Sequence, residues 1–287
     1  MALDPASVDW KRAHRASYLL QQTFRYEYSA PIKDLNHRLI VIPPERFGDQ
    51  RRLRYRLSAN RDEVRFENEH DRFGNLIAHA FVSEVSKAIE FTAEVAVERN
   101  VSEQHRLPSG WLADDYLLQP CRLTAADERI RLEAEWLALS AEWGVPLADR
   151  INDWVYQSMT YRHDVTGINT TAAEALALGA GVCQDYAHLM LAMCRACGLP
   201  SRYVSGHLLG QGGTHAWVEV VLPANDGSGD AIAWPFDPTH AGRGGLAYVT
   251  IAIGADYSDV APTSGTYVSA ARGRLTTSKQ VTLTDFE

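Results

Sequence analysis

The sequence has 287 residues, of which 46% are hydrophobic and 22% are charged, and these values are ordinary for a folded globular protein. The length exceeds that of one typical domain, so we expect two domains. The net charge of −8 argues against a general nucleic-acid binder, because such proteins present a basic surface to the phosphates.

Membrane and secretion signals are missing from the sequence. No apolar run reaches the roughly 18 residues that cross a bilayer, and the amino terminus has no basic stretch followed by an apolar core. Four cysteines are too few for a disulfide framework in a chain of this length; they are Cys121, Cys183, Cys194 and Cys197. We therefore expect a cytoplasmic protein without a membrane or nucleic-acid partner.

The amino-terminal third is typical of an antiparallel β-sandwich. Apolar and polar residues alternate in part over residues 18–28, which is the period of a half-buried strand. Turn residues separate further strand candidates, which are residues 39–42, 53–57, 63–67, 76–82 and 88–97. We predict a β-sandwich domain over residues 1–105. Residues 106–123 contain proline and glycine without periodicity and are predicted to be a linker.

The pattern after the linker is helical first and strand-like afterwards, which predicts an α+β domain over residues 124–287. Leu132, Trp136, Leu139 and Trp143 recur at helical spacing and predict the buried face of the first helix. The remaining predicted helices cover about 147–159, 170–179 and 183–197, and the predicted strands cover residues 201–208, 214–222 and 231–236.

One cysteine stands where the chemistry of a nucleophile would require it. Gly-Ala-Gly-Val leads into Cys183 at the start of a helix, where free N–H groups and the helix dipole stabilise a thiolate. Such a nucleophile also needs a proton-transfer partner and a group that orients that partner. His215 on an alternating strand and Asp237 at the end of the next strand offer both. We predict Cys183, His215 and Asp237 as nucleophile, acid–base and orienting residue.

Four separated blocks, in order, resemble one known family. They are Gly-Val-Cys183-Gln-Asp-Tyr-Ala-His188, Gly-Leu-Pro-Ser-Arg-Tyr-Val-Ser-Gly206, His215-Ala-Trp-Val-Glu219 and Phe-Asp237-Pro-Thr239. They resemble the core of the bacterial transglutaminase-like superfamily. Residues 18–31 and 71–75 resemble the accessory amino-terminal β-domain of this family, and residues 254–262 resemble the segment that follows the core.

The resemblance implies a papain-like α+β fold, in which a helical part with the nucleophile helix packs on an antiparallel sheet. It implies that Cys183 attacks a carbonyl carbon, that His215 acts as acid and base, and that Asp237 orients His215. Many bacterial members look like cysteine peptidases or amidases rather than protein cross-linkers. On this analogy we expect a hydrolase.

Several residues near these blocks keep two interpretations. Papain-like sites complete the oxyanion hole with a side chain upstream of the cysteine, and the sequence does not identify that donor. Trp154 lies upstream, but its helical spacing favours a core position. Asp185 and His188 either line the site or tether the nucleophile helix. Glu219 either approaches the substrate or forms a salt bridge between strands.

The pair Cys194 and Cys197 is predicted to pack in the core. It lies at the carboxyl end of a helix, where the dipole disfavours the thiolate of a redox pair. A zinc site that uses these cysteines with His188 or His207 lacks paired-ligand spacing, and no calcium-binding loop is evident. We expect neither a metal nor another cofactor.

Three functions are compatible with this pattern. The favoured one is hydrolysis of a peptide, related amide or isopeptide bond through a thioester intermediate. The second is acyl transfer, in which an amine rather than water reaches the same thioester. The third is a catalytically silent papain-like binding module. The expected partner is a peptide or small amide substrate, and the oligomeric state stays open.

Overall fold

The computed structural model describes residues 3–5, 8–10, 12–101 and 104–287. The first part of the described chain is built of strands, and each strand predicted there from the sequence overlaps one of them; the predicted strand 63–67 begins two residues before the observed one. These strands are β1 (Arg15–Tyr28), β2 (Ile32–Ile42), β3 (Arg46–Phe47), β4 (Gln50–Ala59), β5 (Arg65–His70), β6 (Leu76–Val85) and β7 (Ala88–Asn100).

The strands form two facing antiparallel sheets, here called the sandwich. One sheet contains β1, β7, β4 and β3 in this order, and the other contains β2, β6 and β5. The His37 ring of β2 stacks on the Phe91 ring of β7, with ring centroids 5.0 Å apart. Gln22 donates from β1 to the Val41 carbonyl across the same interface. The sandwich predicted from the alternating pattern is therefore confirmed.

The second part of the chain contains helices followed by strands, as predicted. Its elements are β8 (Arg106–Leu107), α1 (Asp115–Leu118), α2 (Glu128–Ala138), α3 (Val145–Ser158), β9 (Thr160–Tyr161), α4 (Ala172–Leu178), β10 (Ala180–Gly181), α5 (Cys183–Ala196), β11 (Ser201–Leu208), β12 (His215–Pro223), β13 (Ala231–Phe236), β14 (Tyr248–Gly254), α6 (Tyr257–Val260), β15 (Thr263–Val268) and β16 (Gly273–Phe286).

Five antiparallel strands form the core sheet, in the order β14, β11, β12, β13, β8. Helix α5 packs on β12 and β11, and α2, α3 and α4 surround its other sides. Most side chains of α5 are therefore buried, including Tyr186, Met190 and Cys194. This packing confirms the α+β architecture. Among the residues that the structure describes, no helix is long and apolar enough to cross a membrane.

The last two strands return to the sandwich. β15 pairs with β2, and β16 pairs with β1 along its length. The predicted second domain, residues 124–287, thus ends in strands that complete the sheets of the first. Within the predicted linker, residues 106–123, β8 extends the core sheet beside β13. The domain boundaries remain a prediction. The pairings of β15 with β2 and of β16 with β1 connect the two predicted domains physically.

The predicted buried face of the first long helix is wrong. Leu132, Trp136 and Leu139 are 58%, 59% and 88% exposed, and Trp143 is 52% exposed. The buried residues of α2 are Ile130, Ala134 and Leu137. The sequence contains two apolar stripes at helical spacing, and periodicity alone cannot choose between them. The helix also ends at Ala138, so Leu139 and Trp143 lie beyond its last turn.

Gly206 on β11 allows the Trp217 side chain to lie across that strand. A Cβ at this position would lie 2.1 Å from the Val249 carbonyl oxygen and 2.6 Å from Trp217 Cη2. Because the carbonyl belongs to the paired strand β14, it cannot withdraw without disturbing the sheet. We expect Gly206→Ala to lower the free energy of unfolding by about 1–3 kcal/mol, measured by urea denaturation.

Gly167→Ala is the matched control, since a Cβ at Gly167 meets no atom within 4 Å. Its effect should stay within about 0.5 kcal/mol. Equal stabilities for the two variants would contradict the close approach at Gly206.

Candidate active site

Cys183 is the first residue of α5, and the chain before it is shaped for a close turn. α4 ends at Gly179 in the left-handed conformation, with φ of 67°. A Cβ at Gly181 would lie 2.5 Å from Asp185 Oδ2. That oxygen accepts the Val182 N–H at 2.7 Å, so Asp185 fixes the start of the helix. Of its two interpretations, the structure favours the tether.

His215 and Asp237 meet in the core sheet, because β12 pairs with β13 and Asp237 directly follows β13. His215 Nε2 donates to Asp237 Oδ2 at 2.7 Å, and the two residues are 3% and 0% exposed. Cys183 lies close enough to the His215 ring to raise the pKa of His215. Since Nε2 is engaged with Asp237, Nδ1 is the ring nitrogen that remains for the thiol. The three predicted site residues therefore lie together.

The surroundings of His215 favour the imidazolium form. Burial by itself lowers the pKa of His215, but the hydrogen bond to Asp237 and the neighbouring Cys183 raise it. The net result is a pKa raised to about 9. A positive ring beside a thiol stabilises the thiolate, and it also provides a proton for a leaving group.

Asp237 is surrounded by donors that the sequence did not reveal. Its Oδ2 also accepts from His240 Nδ1 at 2.8 Å and from the Tyr248 hydroxyl at 2.7 Å, and its Oδ1 accepts the Thr239 N–H at 2.9 Å. Burial raises the pKa of Asp237, but the hydrogen bonds, first that of His215, lower it to about 2. Asp237 is thus a buried carboxylate that stays ionised.

Among the described residues, His215, Asp237 and His240 have the spacing of a metal site. Ligand atoms of His215, Asp237 and His240 lie within 4.8 Å of one another. The hydrogen bonds to Asp237 already use one nitrogen of each ring. Gln211 Nε2 lies 2.9 Å from the other nitrogen of His240. An ion would have to replace these bonds, so we derive no chemistry from it.

Tyr161 lies beside the backbone N–H expected in the oxyanion hole. β9 pairs with β10 in parallel, and this places Tyr161 opposite Gly181, two residues before the nucleophile. Burial raises the pKa of Tyr161, and the nearby Cys183 N–H acts in the opposite direction. Trp154 packs against the hydrophobic core instead. The structure therefore brings Tyr161, which the sequence did not single out, to the place of the unassigned donor.

A groove of about 790 Å³ runs beside these residues. Among the described residues that line it, none is an aspartate, glutamate, lysine or arginine. Its walls are aromatic, polar or glycine-rich and include Tyr156, Tyr161, His163, Gly213 and His240. Histidines are therefore the ionisable side chains, other than tyrosine, in the described lining of the groove.

The remaining residues with two interpretations have structural positions. His188 is fully buried, and its Nε2 accepts the Tyr257 N–H at 3.2 Å, so it tethers α5 to the segment after β14. Glu219 forms a buried ion pair with Arg202 at 2.6 Å. The salt bridge is thus the correct interpretation of Glu219.

Cys194 and Cys197 pack as predicted. Cys194 is fully buried in the hydrophobic cluster around α5, and burial raises the pKa of its thiol well above the usual range. The Cys197 thiol donates to the Ala134 carbonyl of α2 at 3.3 Å. Both cysteines are free thiols. The pair therefore belongs to the contact between two helices.

The raised pKa of His215 predicts how the alkylation of Cys183 depends on pH. A protonated His215 attracts the anionic reagent iodoacetate but not the neutral iodoacetamide. We expect the ratio of the two alkylation rates to be high at neutral pH. It should fall as the pH rises through about 9, where His215 loses its charge. Mass spectrometry of the modified cysteine measures both rates. A fall centred near pH 6.5, the ordinary pKa of histidine, would contradict this assignment.

Comparisons with known proteins agree with this architecture. Residues 18–98 match the bacterial transglutaminase-like N-terminal region, and residues 141–237 match the transglutaminase-like superfamily. The chain is 33% identical over 165 residues to an uncharacterised protein of Mycobacterium leprae, and this alignment covers 53% of the chain and 55% of that protein. It is 28% identical over 291 residues to an uncharacterised protein of Mycobacterium tuberculosis, covering 90% and 89%. The matched part thus spans about half the length of the M. leprae relative.

In structure, the chain resembles a protein of Cytophaga hutchinsonii that is provisionally described as a cysteine protease. The TM-score is 0.71 and the sequence identity is 20%, and the match covers 95% of this chain and 92% of that one. At this identity the likeness concerns the fold alone. A helix that begins at a cysteine and packs on an antiparallel sheet is the arrangement of the papain-like α+β class. Within that class, the chain belongs to the transglutaminase-like superfamily and carries its bacterial amino-terminal β-region.

Proposed function

We propose that this protein is a cysteine hydrolase that cleaves a peptide, related amide or isopeptide bond through a thioester intermediate. The observation that supports the proposal best is the buried hydrogen bond of 2.7 Å between His215 and Asp237, with Cys183 at the other side of the ring. This is the arrangement of nucleophile, acid–base and orienting carboxylate that recurs in hydrolases of unrelated folds.

In the first step, the Cys183 thiolate attacks the carbonyl carbon of the scissile amide. The negative charge that develops on the carbonyl oxygen is received by the Cys183 N–H, with the Tyr161 hydroxyl beside it. The His215 imidazolium then gives its proton to the amide nitrogen, the C–N bond breaks, and the amine leaves. The acyl group stays on sulfur as a thioester.

In the second step, the now neutral His215 takes a proton from water, and the hydroxide attacks the thioester carbonyl. The C–S bond breaks, the carboxylic acid leaves, and the thiolate–imidazolium pair forms again. Asp237 stays ionised throughout, because the donors around it lower its pKa to about 2. It keeps the His215 ring oriented and stabilises its positive charge.

Trapping the acyl group tests the proposal. Wild type and Cys183→Ala are exposed to a mixed library of peptide and amide electrophiles and examined by intact-mass spectrometry. We expect a single adduct that requires Cys183. Because no aspartate, glutamate, lysine or arginine is among the described residues that line the groove, adducts from peptides with neutral side chains should exceed those from peptides with several charged side chains. No adduct on correctly folded wild type would favour the binding module.

Hydrolysis and acyl transfer are separated in the same experiment. A preformed acyl adduct is incubated in water alone and in water with a primary amine. Hydrolysis predicts release of the free acid at a rate that the amine leaves unchanged. Release of the amide at a rate proportional to amine concentration would favour the transferase.

We also propose a reducing, cytoplasmic location. The four cysteines are free thiols, and a thiolate nucleophile is active only while it is reduced. Fractionation of the source cells with detection by a specific antibody tests this proposal. Recovery of the protein outside the cytoplasm would contradict it.

A further inference from the structure

The sandwich holds the outermost strand of the core sheet by side-chain amides. Gln50 donates to the Thr250 carbonyl at 2.8 Å and accepts the Thr250 N–H at 2.9 Å. Asn75 makes the same two bonds with Ile253, at 2.6 and 2.9 Å. Each amide thus replaces a residue of a neighbouring strand, and the main chain of β14 is fixed from the sandwich side.

At the beginning of β14 the contact is ionic. Arg99 of β7 binds both carboxylate oxygens of Asp49, at 2.6 and 2.7 Å, and each side chain is 14% exposed. The same guanidinium donates to the carbonyls of Gly245 at 2.6 Å and Tyr248 at 2.5 Å. Because the guanidinium is planar and rigid, a guanidinium held by Asp49 also fixes the position of the Tyr248 backbone.

The Tyr248 side chain reaches from there to the proposed catalytic carboxylate. Its hydroxyl donates to Asp237 Oδ2, the oxygen that also accepts from His215. Its ring packs against Trp217 and His215, at centroid distances of 5.3 and 6.0 Å. A carboxylate can rotate about its Cβ–Cγ bond, and the Tyr248 hydroxyl opposes that rotation together with His240 on the same oxygen and the Thr239 N–H on the other.

We propose that the sandwich positions the His215–Asp237 pair through Arg99 and Tyr248, so that Tyr248 is a positioning residue of the active site. The inference rests on the proposed function, since it requires Asp237 to act on His215. It gives the amino-terminal β-region a part in catalysis. Its contacts extend from Asp49 through Arg99 and Tyr248 to Asp237.

Tyr248→Phe tests the last contact. Loss of the hydroxyl lets the carboxylate turn away from His215, so the bond that raises the pKa of His215 weakens. We expect the fall in the iodoacetate to iodoacetamide ratio to move to lower pH. Alkylation by iodoacetamide at about pH 6 should slow by about 3- to 10-fold. The other ionisable groups that face His215, Cys183 and His240, are unchanged in this variant.

Tyr18→Phe is the matched control. Tyr18 is also buried at the boundary between sandwich and core, and its hydroxyl donates to the Leu246 carbonyl at 2.6 Å. This variant should lose a similar amount of stability and leave both alkylation measurements unchanged. A further control is the Asp237→Ala background, in which Tyr248→Phe should have no effect, because Tyr248 acts through Asp237.

Arg99→Lys tests the contact with the sandwich. A lysine keeps the charge beside Asp49 but lacks the planar fork that reaches both backbone carbonyls. We expect the iodoacetate to iodoacetamide ratio to fall at a lower pH than in wild type, by a smaller shift than in Tyr248→Phe. An unchanged pH dependence of the iodoacetate to iodoacetamide ratio in either variant would overturn the proposal. A shift of the fall to higher pH would also overturn it, because that result is expected if the Tyr248 hydroxyl only withdraws negative charge from Asp237. If Asp237→Ala itself changes nothing, the proposed function fails instead.

Discussion

Replacing Cys183 with alanine is expected to abolish the proposed cleavage activity, with a loss of about 10⁵-fold or more. In the proposed mechanism the thiolate forms the bond to the substrate, and removal of a nucleophile from such a triad leaves little beyond binding and the oxyanion donors. The fold should persist, because Cys183 is partly exposed at the first turn of α5 and alanine is a good helix former. The measurement is the rate of release of the amine product, together with the thermal midpoint.

Cys197→Ala provides the control for this experiment. Cys197 is also a partly exposed free thiol, at the opposite end of α5, and its contact is the Ala134 carbonyl. It should retain wild-type activity. Equal activity of Cys183→Ala and wild type would exclude Cys183 as the nucleophile.

Replacing Asp237 with alanine is expected to lower the activity by about 10²- to 10⁴-fold without abolishing it. Cys183 and His215 remain, but the ring loses the carboxylate that orients it and supports its charge. The pKa of His215 should fall from about 9, so the iodoacetate preference should be lost at lower pH. The variant should also be less stable, because His215, His240 and Tyr248 lose a shared buried acceptor.

Asp237→Asn and Asp149→Ala separate the possible causes of this loss. Asparagine keeps the shape and an acceptor oxygen but not the charge, so Asp237→Asn should retain more activity than Asp237→Ala. Asp149 forms a surface ion pair with Arg243, and its removal should change stability by less than about 1 kcal/mol and leave activity unchanged. Wild-type activity in Asp237→Ala would remove Asp237 from the site.

The proximity of Cys183, His215 and Asp237 was predictable because local signals mark each of them. Two glycines and the start of a helix precede or include Cys183. His215 lies on a strand with an alternating pattern, and prolines flank Asp237. The buried side of α2 was not predictable in the same way. Both apolar stripes of that helix have the correct period, and only the position of α5 decides which of them is covered.

Sequence patterns did not identify three neighbours of the site, which are Tyr161, His240 and Tyr248. Tyr161 comes near Cys183 through a pairing of two very short strands, β9 and β10. Tyr248 contacts Asp237 because of the order of strands in the core sheet, and no local sequence pattern predicts that order. His240 is only three residues after Asp237, so its contact with the carboxylate could have been suspected from the spacing. Tertiary contacts of this kind depend on register and strand order, which periodicity does not encode.

The pairing of β1 with β16 has a consequence for folding during synthesis. Leu20 pairs with Val281, so nearly all of the core is translated between the two partners. Until β16 leaves the ribosome, β1 has one unpaired edge, and such edges promote aggregation. We therefore expect the sandwich to close late, with slow folding that reflects the long loop between its strands. If the sandwich positions His215, the nascent chain would complete the proposed site only after β16 is in place.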